Sequence, residues 1–317
     1  MVRAEPDDLF DRTASLARRP RTVHELPGGL TNRNYKVTTP DGSFVARVSG
    51  AGSELLAIDR DCEYRNSVAA AAAGAGPPVV EYRPQDNVLI IGYIEGRTLG
   101  EADVAQARTI ARIAQACRRL HQGERFGNDF DMFAIQRRYL AVTRSRGFRI
   151  PAGYDDLLPY FDAAAAALAA SDRDGTVPCN NDLLPANFID DGDRIWLIDY
   201  EYSGNNDACF ELGNIWAEAH LSDDGLAELV TAYYGQERPG KVARAQLLGL
   251  AGMYGWTLWG AIQHAVSPIE FDFWSWAMER FEGAAAGFTA AGFGTLLEAV
   301  QHDPDEPSQQ SESSHDD

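Results

Sequence analysis

The 317-residue chain is long enough for two lobes around one cleft, and its 45% hydrophobic content supplies a sizeable core. A net charge of −19 excludes the basic surface that nucleic acids and anionic membranes require, and it favours a small cationic partner. No apolar run reaches the roughly 18–20 residues of a membrane span, and the opening MVRAEPDDLF lacks the apolar stretch of a secretory signal, which predicts a cytoplasmic protein. Cys62, Cys117, Cys179 and Cys209 lie far apart with no CxxC pair, so they read as small buried hydrophobes rather than disulfide or zinc partners.

Residues 1–20 read as a polar N-terminal helix anchored by Leu9, Phe10 and Leu16. Between Val23 and Gly50, alternation through Tyr35 and Val37 and then Phe44, Val45 and Val48 predicts a β-hairpin, with Asp41-Gly42 as its turn. A helix is predicted over 54–73, stopped by Gly74, Gly76 and Pro77-Pro78, with strands at 79–82 and 88–94. After Glu95-Gly96 the pattern turns to helical stretches at 101–121, 155–171 and beyond residue 207. The resulting fold class is α+β. A small antiparallel β-rich lobe occupies 1–95, a larger helical lobe 96–300, and a disordered acidic tail 301–317, which holds six acids and no lysine or arginine.

One non-helical island, CNNDLLPANFIDDGDRIWLIDYEYSG, interrupts the helices, with short strands at 188–189 and 195–198 around an Asp191-Gly192 turn. Phosphoryl transfer needs a carboxylate to orient the acceptor hydroxyl, oxygen ligands for magnesium, and a cation for the phosphates. Asp182 and Asn187 stand at the D-x-x-x-x-N spacing of a kinase catalytic loop, and Asp199 ends the apolar strand that follows. Either half alone would serve equally as turn formers or helix caps; both halves around a hairpin fit the catalytic arrangement better. The chain has only two lysines, Lys36 and Lys241, and no GxxxxGK[ST], which excludes a P-loop and leaves the phosphates to arginine or Lys36.

These segments, together with GGLTNRNYKV, SFVARVSG, GYIEGRTL and WTLWGAIQHAVSPIEFDFWSWAMERF, resemble the choline/ethanolamine kinase family, relatives of the aminoglycoside phosphotransferases, over roughly residues 25–285. The resemblance implies a two-lobed protein-kinase-like fold that uses ATP and Mg2+. It makes Asp182 the catalytic base, Asn187 and Asp199 the magnesium ligands, and Glu201 a supporting acid beside them. It pairs Arg47 on a strand with Glu63 on the next helix, places Gly28, Gly29, Thr31 and Asn32 over the phosphates, and lines an adenine pocket with Tyr93 and Ile94. On pattern alone, Arg47 and Glu63 fit a solvated surface and Gly28-Gly29 a plain turn. One departure stands out: Asn180 replaces the histidine the family carries two residues before the catalytic aspartate. That histidine braces the loop, a task an asparagine amide can also perform. His121 reads as a packed helix-end residue.

A quaternary ammonium must be recognised by aromatic faces and nearby carboxylates. The resemblance places Tyr202, Trp256, Trp259, Trp276 and Glu218 in such a cage, with Trp276 where a tyrosine is usual; Trp256 and Trp259, three apart, share a helix face. Trp216 and Trp274 read as core. The implied partner is a small cationic alcohol, choline or a related amino alcohol. An amino-sugar phosphotransferase and a nucleotide-binding pseudokinase are the alternatives, and the oligomeric state stays open.

Overall fold

The computed structural model describes residues 6–17, 20–50, 53–171 and 175–301. A short helix α1 (Pro6–Asp11) leads into five strands, β1 (Thr22–Leu26), β2 (Asn32–Thr39), β3 (Gly42–Ser49), β4 (Val79–Arg83) and β5 (Val88–Gly92), forming one antiparallel sheet in the order β1-β2-β3-β5-β4. Alternation turns Tyr35, Val37, Ala46, Val88 and Ile90 to one face, where they pack on Phe10 and Leu16. Of the helix predicted over residues 1–20, the described residues form only Pro6–Asp11, after which Thr13 bonds its hydroxyl back to the Leu9 carbonyl and the chain continues in turns; residues 1–5 and 18–19 lie outside the described residues.

Three further expectations are corrected. The predicted hairpin is a three-stranded meander, since β1 pairs with β2, and Thr39 faces Gly42, so its turn is Pro40-Asp41. The helix expected from residue 54 starts later: after a 3-10 turn at Ser53–Leu56, Ala57 adopts φ 59°, and Asp59 caps α2 (Arg60–Ala72) by accepting from the Asp61 and Cys62 amides. The predicted strand 88–94 ends at Gly92.

The helical part begins after β6 (Arg97–Thr98). The predicted 101–121 helix is broken into α3 (Glu101–Val104) and α4 (Ala107–His121), followed by α5 (Met132–Arg146). The predicted 155–171 helix is α6 (Leu158–Ala170), entered from a 3-10 turn through Pro159, which suits a first helical turn. The island supplies β7 (Val177–Cys179), β8 (Phe188–Asp190), β9 (Ile195–Leu197) and β10 (Gly204–Asn206), which form two small antiparallel sheets, one of them with β6. Then come α7 (Ala208–Glu218), α8 (Asp223–Tyr234), α9 (Pro239–Val266), α10 (Phe273–Phe288) and α11 (Phe293–Gln301).

The 28-residue α9 is the axis of this part, buried along most of its length beneath α5, α7, α10 and α11. It approaches α7 so closely that a Cβ on Gly213 would lie 2.0 Å from the Ala245 carbonyl oxygen, so only glycine fits there. Glu218 on α7 and Trp256 and Trp259 on α9 line one cavity. No single described helix is long and apolar enough to cross a membrane. Cys117, Cys179 and Cys209 are buried free thiols, whereas Cys62 is half-buried on α2. The acidic tail predicted from residue 301 lies, from 302 onward, outside the described residues.

Candidate active site

The loop between β7 and β8 is fixed from below by α7. Glu211, fully buried, accepts the backbone amides of Asn180 at 3.0 Å and Asn181 at 2.7 Å, and Asn214 accepts the Leu183 amide at 2.7 Å. His121, buried at the end of α4, lies behind Glu211 at 3.4 Å and bonds Tyr233 at 2.7 Å, so it is a packed helix-end residue. Two non-glycine residues adopt left-handed backbone here, Asn181 at φ 68° and Asp199 at φ 65°. Asn181 is held by its amide nitrogen, which donates to the Tyr202 carbonyl at 3.1 Å. Over-determination of this kind is what sustains strained backbone at functional loops.

Asn180 ties the two halves of the island together. Its side-chain nitrogen donates to the carbonyls of Ile198 and Asp199, and its oxygen accepts the Asp182 amide. Asn187 donates its amide nitrogen to the Asp182 carbonyl at 2.7 Å. With the nitrogen so used, Asn187 offers its oxygen, and with the Asp199 carboxylate it makes the hard-oxygen donor set that suits magnesium.

From the sheet side, Arg47 on β3 reaches Asp199 at 2.5 Å and Glu63 at 3.1 Å. Burial opposes the Arg47 charge, but Asp199 and Glu63 outweigh it and raise the guanidinium above its ordinary range. Glu201, expected as a supporting acid beside the metal ligands, shares the cavity with Asn187 and Asp199 and also holds the glycine loop. It accepts from the Thr31 hydroxyl at 2.8 Å and the Asn32 amide at 3.0 Å, and it meets Arg60 at 3.1 Å. Burial and the neighbouring Asp199 push Glu201 up to about 7. In the sequence Arg60 reads as one of several surface charges around Glu63; the signal for its role is its place three residues before Glu63, which it also contacts at 2.6 Å.

These elements enclose one cavity of about 400 Å³, lined by Gly28, Gly29, Thr31, Arg47, Tyr93, Ile94, Asp182, Asn187, Asp199, Glu201, Tyr202, Glu218, Trp256, Trp259 and Trp276. Asn32 and Glu63 stand behind the wall and act on it through Glu201 and Arg47. At the sheet end, Val45, Ile91 and Ile198 join Tyr93 and Ile94 in an apolar slot. Asp182 lines the same cavity. Burial, then the charges of Asp199, Glu201 and Glu218, raise its carboxyl well above the usual range, with Arg280 opposing them.

At the aromatic end Tyr202 meets Trp256 edge-on at 4.9 Å, and Trp259 lies 4.9 Å from Trp276. The Trp259 indole N–H donates to the Tyr202 hydroxyl at 2.7 Å. Arg280 was not anticipated, although it stands four residues after Trp276 on α10. Its guanidinium lies 3.4 Å from the Trp276 ring centroid and bonds both oxygens of Glu218. The two tryptophans expected in the core differ: Trp216 packs partly buried against it, whereas Trp274 is half-exposed and carries Arg149 at 3.7 Å from its ring.

With this geometry in place, the comparisons with known proteins agree. Over residues 22–247 the chain matches the family model described as the phosphotransferase enzyme family. It is 30% identical over 220 residues to the protein LicA of Haemophilus influenzae, covering 67% of this chain and 64% of LicA, so that alignment spans less than two thirds of LicA's length. It is 27% identical over 324 residues to ethanolamine kinase 2 of Mus musculus, covering 88% and 82% of the two chains. The crystal structure of a choline/ethanolamine kinase family protein from Mesorhizobium loti superposes with a TM-score of 0.81 at 32% identity, covering 93% of this chain and 98% of that one. The architecture is the two-lobed, protein-kinase-like α+β fold, and the chain belongs to the phosphotransferase enzyme family.

Proposed function

We propose that this protein transfers the γ-phosphoryl group of a magnesium-bound nucleoside triphosphate to the hydroxyl of a small amino alcohol of the choline and ethanolamine kind. One observation carries the reading: Asp182 lines a single cavity together with Asn187, Asp199 and a cluster of four aromatic side chains. The named relatives, an ethanolamine kinase and a choline/ethanolamine kinase family protein, support it.

The sheet-bearing part up to residue 95 is read as the nucleotide lobe and residues 96–300 as the catalytic and acceptor lobe. The nucleobase would enter the slot beside Tyr93 and Ile94, with the Gly28–Asn32 loop over its phosphates. Asp182 accepts the hydroxyl proton and aims the oxygen, and its raised pKa makes it a stronger base once ionised. Asn187 and Asp199 would hold magnesium, which when bound supplies charge neutralisation at the phosphate oxygens. Arg47 fixes Asp199 in place. A polycationic amino sugar is served less well, because Glu218, Asp199 and Glu201 are already paired with the chain's own arginines.

A coupled assay of ADP release with choline, ethanolamine and kanamycin tests the proposal. Acceptor-dependent turnover is expected with the amino alcohols. Turnover on kanamycin alone would replace the acceptor class, and the absence of acceptor-dependent turnover with all three would overturn the reading.

A further inference from the structure

We propose that Arg280 sets which amino alcohol is accepted: by occupying Glu218 and resting on Trp276, it leaves the acceptor end with aromatic faces but few hydrogen-bond acceptors, and so selects a quaternary ammonium over a primary one. This inference rests on the amino-alcohol kinase reading and deepens it.

A primary ammonium brings three N–H donors into the cleft, and each one left unmet after desolvation costs on the order of tenfold in affinity. A trimethylammonium head brings none, and is drawn to ring faces by their quadrupole. Each of the side-chain acceptors identified at the aromatic end already takes a donor from the chain itself. Both Glu218 oxygens take N–H donors from Arg280, and the Tyr202 hydroxyl takes the Trp259 N–H. The Trp256 indole N–H is a buried donor without a partner among the described residues, so it adds no acceptor. Asp182 remains, and its task is the hydroxyl. Arg280 is itself firmly seated, bonding the Trp276 carbonyl at 3.3 Å and facing Glu279 at 3.7 Å. It therefore acts as a fixed part of the pocket wall.

The test compares kcat/KM for ethanolamine, its N-methyl and N,N-dimethyl derivatives and choline, in the wild type, Arg280→Met and Arg280→Lys. In the wild type, kcat/KM is expected to rise with each methyl and to favour choline over ethanolamine by about tenfold or more. Arg280→Met, which keeps the apolar stem but returns both Glu218 oxygens to the pocket, is expected to shift that ratio about tenfold towards ethanolamine. Arg280→Lys, with a compact ammonium in place of the fork, is expected to shift it less. A purely structural Arg280 would lower both substrates together, and an unchanged ratio overturns the proposal. So does a wild type that prefers ethanolamine. If Arg280→Met does not fold, the wild-type series and Arg280→Lys decide the matter. If none of the four alcohols is phosphorylated, the kinase reading fails separately. Calorimetric binding of choline and ethanolamine to the wild type then judges the pocket: tighter choline supports the inference, and equal or tighter ethanolamine overturns it.

Discussion

Asn180 spans the gap between the two halves of the catalytic island, donating to the Asp199 carbonyl at 2.9 Å while accepting the Asp182 amide at 3.1 Å. The amide group thus supplies a donor to one half and an acceptor to the other, which is the brace expected of the residue it replaces. Asn180→Ala should lower kcat by about 10- to 100-fold, the equivalent of one or two buried hydrogen bonds. Nucleotide affinity should change little, because the loop proposed to cover the phosphates hangs from Glu201 rather than from Asn180. Asn180→His, which can also donate and accept, should retain most of the activity. Steady-state kinetics beside a nucleotide titration would check this, and a loss confined to nucleotide binding would count against the brace.

Asp182 and Asp199 should separate by phenotype. Asp182→Asn keeps the shape but removes the base, and is expected to lower kcat by about 10³-fold with nucleotide binding intact. Asp199→Asn should weaken magnesium-nucleotide binding as well as turnover, and excess EDTA should abolish turnover of the wild type. Near-normal kcat in Asp182→Asn, or unaltered nucleotide affinity in Asp199→Asn, would mean the roles are misassigned.

The reason so much of the centre was legible is that Asp182, Asn187, Asp199 and Tyr202 lie on one short stretch whose spacing is set by a hairpin. What the sequence concealed were the distant partners of two further arginines. Arg60 meets Glu201 from 141 residues away and Arg280 meets Glu218 from 62 residues away, so neither pairing leaves a local pattern. Trp274 carries no mark distinguishing a half-exposed shelf for Arg149 from a core residue. The late start of α2 was equally hidden, because a left-handed alanine at position 57 is a product of tertiary packing rather than propensity. The role expected for Glu201 draws on its nearness in sequence to Asp199; that its oxygens also hold Thr31 and Asn32 of the other lobe leaves no local pattern.

The two glycines of the loop proposed to cover the phosphates should respond unequally to alanine. A Cβ on Gly29 would lie 2.1 Å from the Asn32 carbonyl oxygen, a backbone clash the loop cannot absorb without moving. A Cβ on Gly28 meets nothing within 4 Å, but the residue sits at φ +96°. Gly29→Ala should therefore raise the nucleotide KM by about tenfold or more, and Gly28→Ala by less, since strain of that kind costs on the order of 1 kcal/mol. The reverse order in a nucleotide titration would show that the loop is not closed in the way these contacts indicate.

The Arg112–Asp190 pair gives a pH-dependent test of how the hairpin is anchored. Arg112 on α4 bonds Asp190 on β8 through two donors at 2.5 and 2.7 Å, fastening the hairpin that leads to Asp199. Its hydrogen bonds, opposed in part by burial, hold the Asp190 carboxyl below the usual range. A carboxylate whose folded pKa is depressed contributes stability that is fully present above its unfolded value, near 3.9, and is lost as pH falls through the folded value. Arg112→Met should therefore cost about 1 kcal/mol at neutral pH, the upper end for a partly exposed pair. The gap between wild type and variant should close as the medium is acidified below about pH 4. Chemical denaturation across that range measures it. A gap that stays constant into strong acid would mean that Arg112 anchors the hairpin through its stem and its contact with the Gly192 carbonyl, and that the ion pair adds nothing.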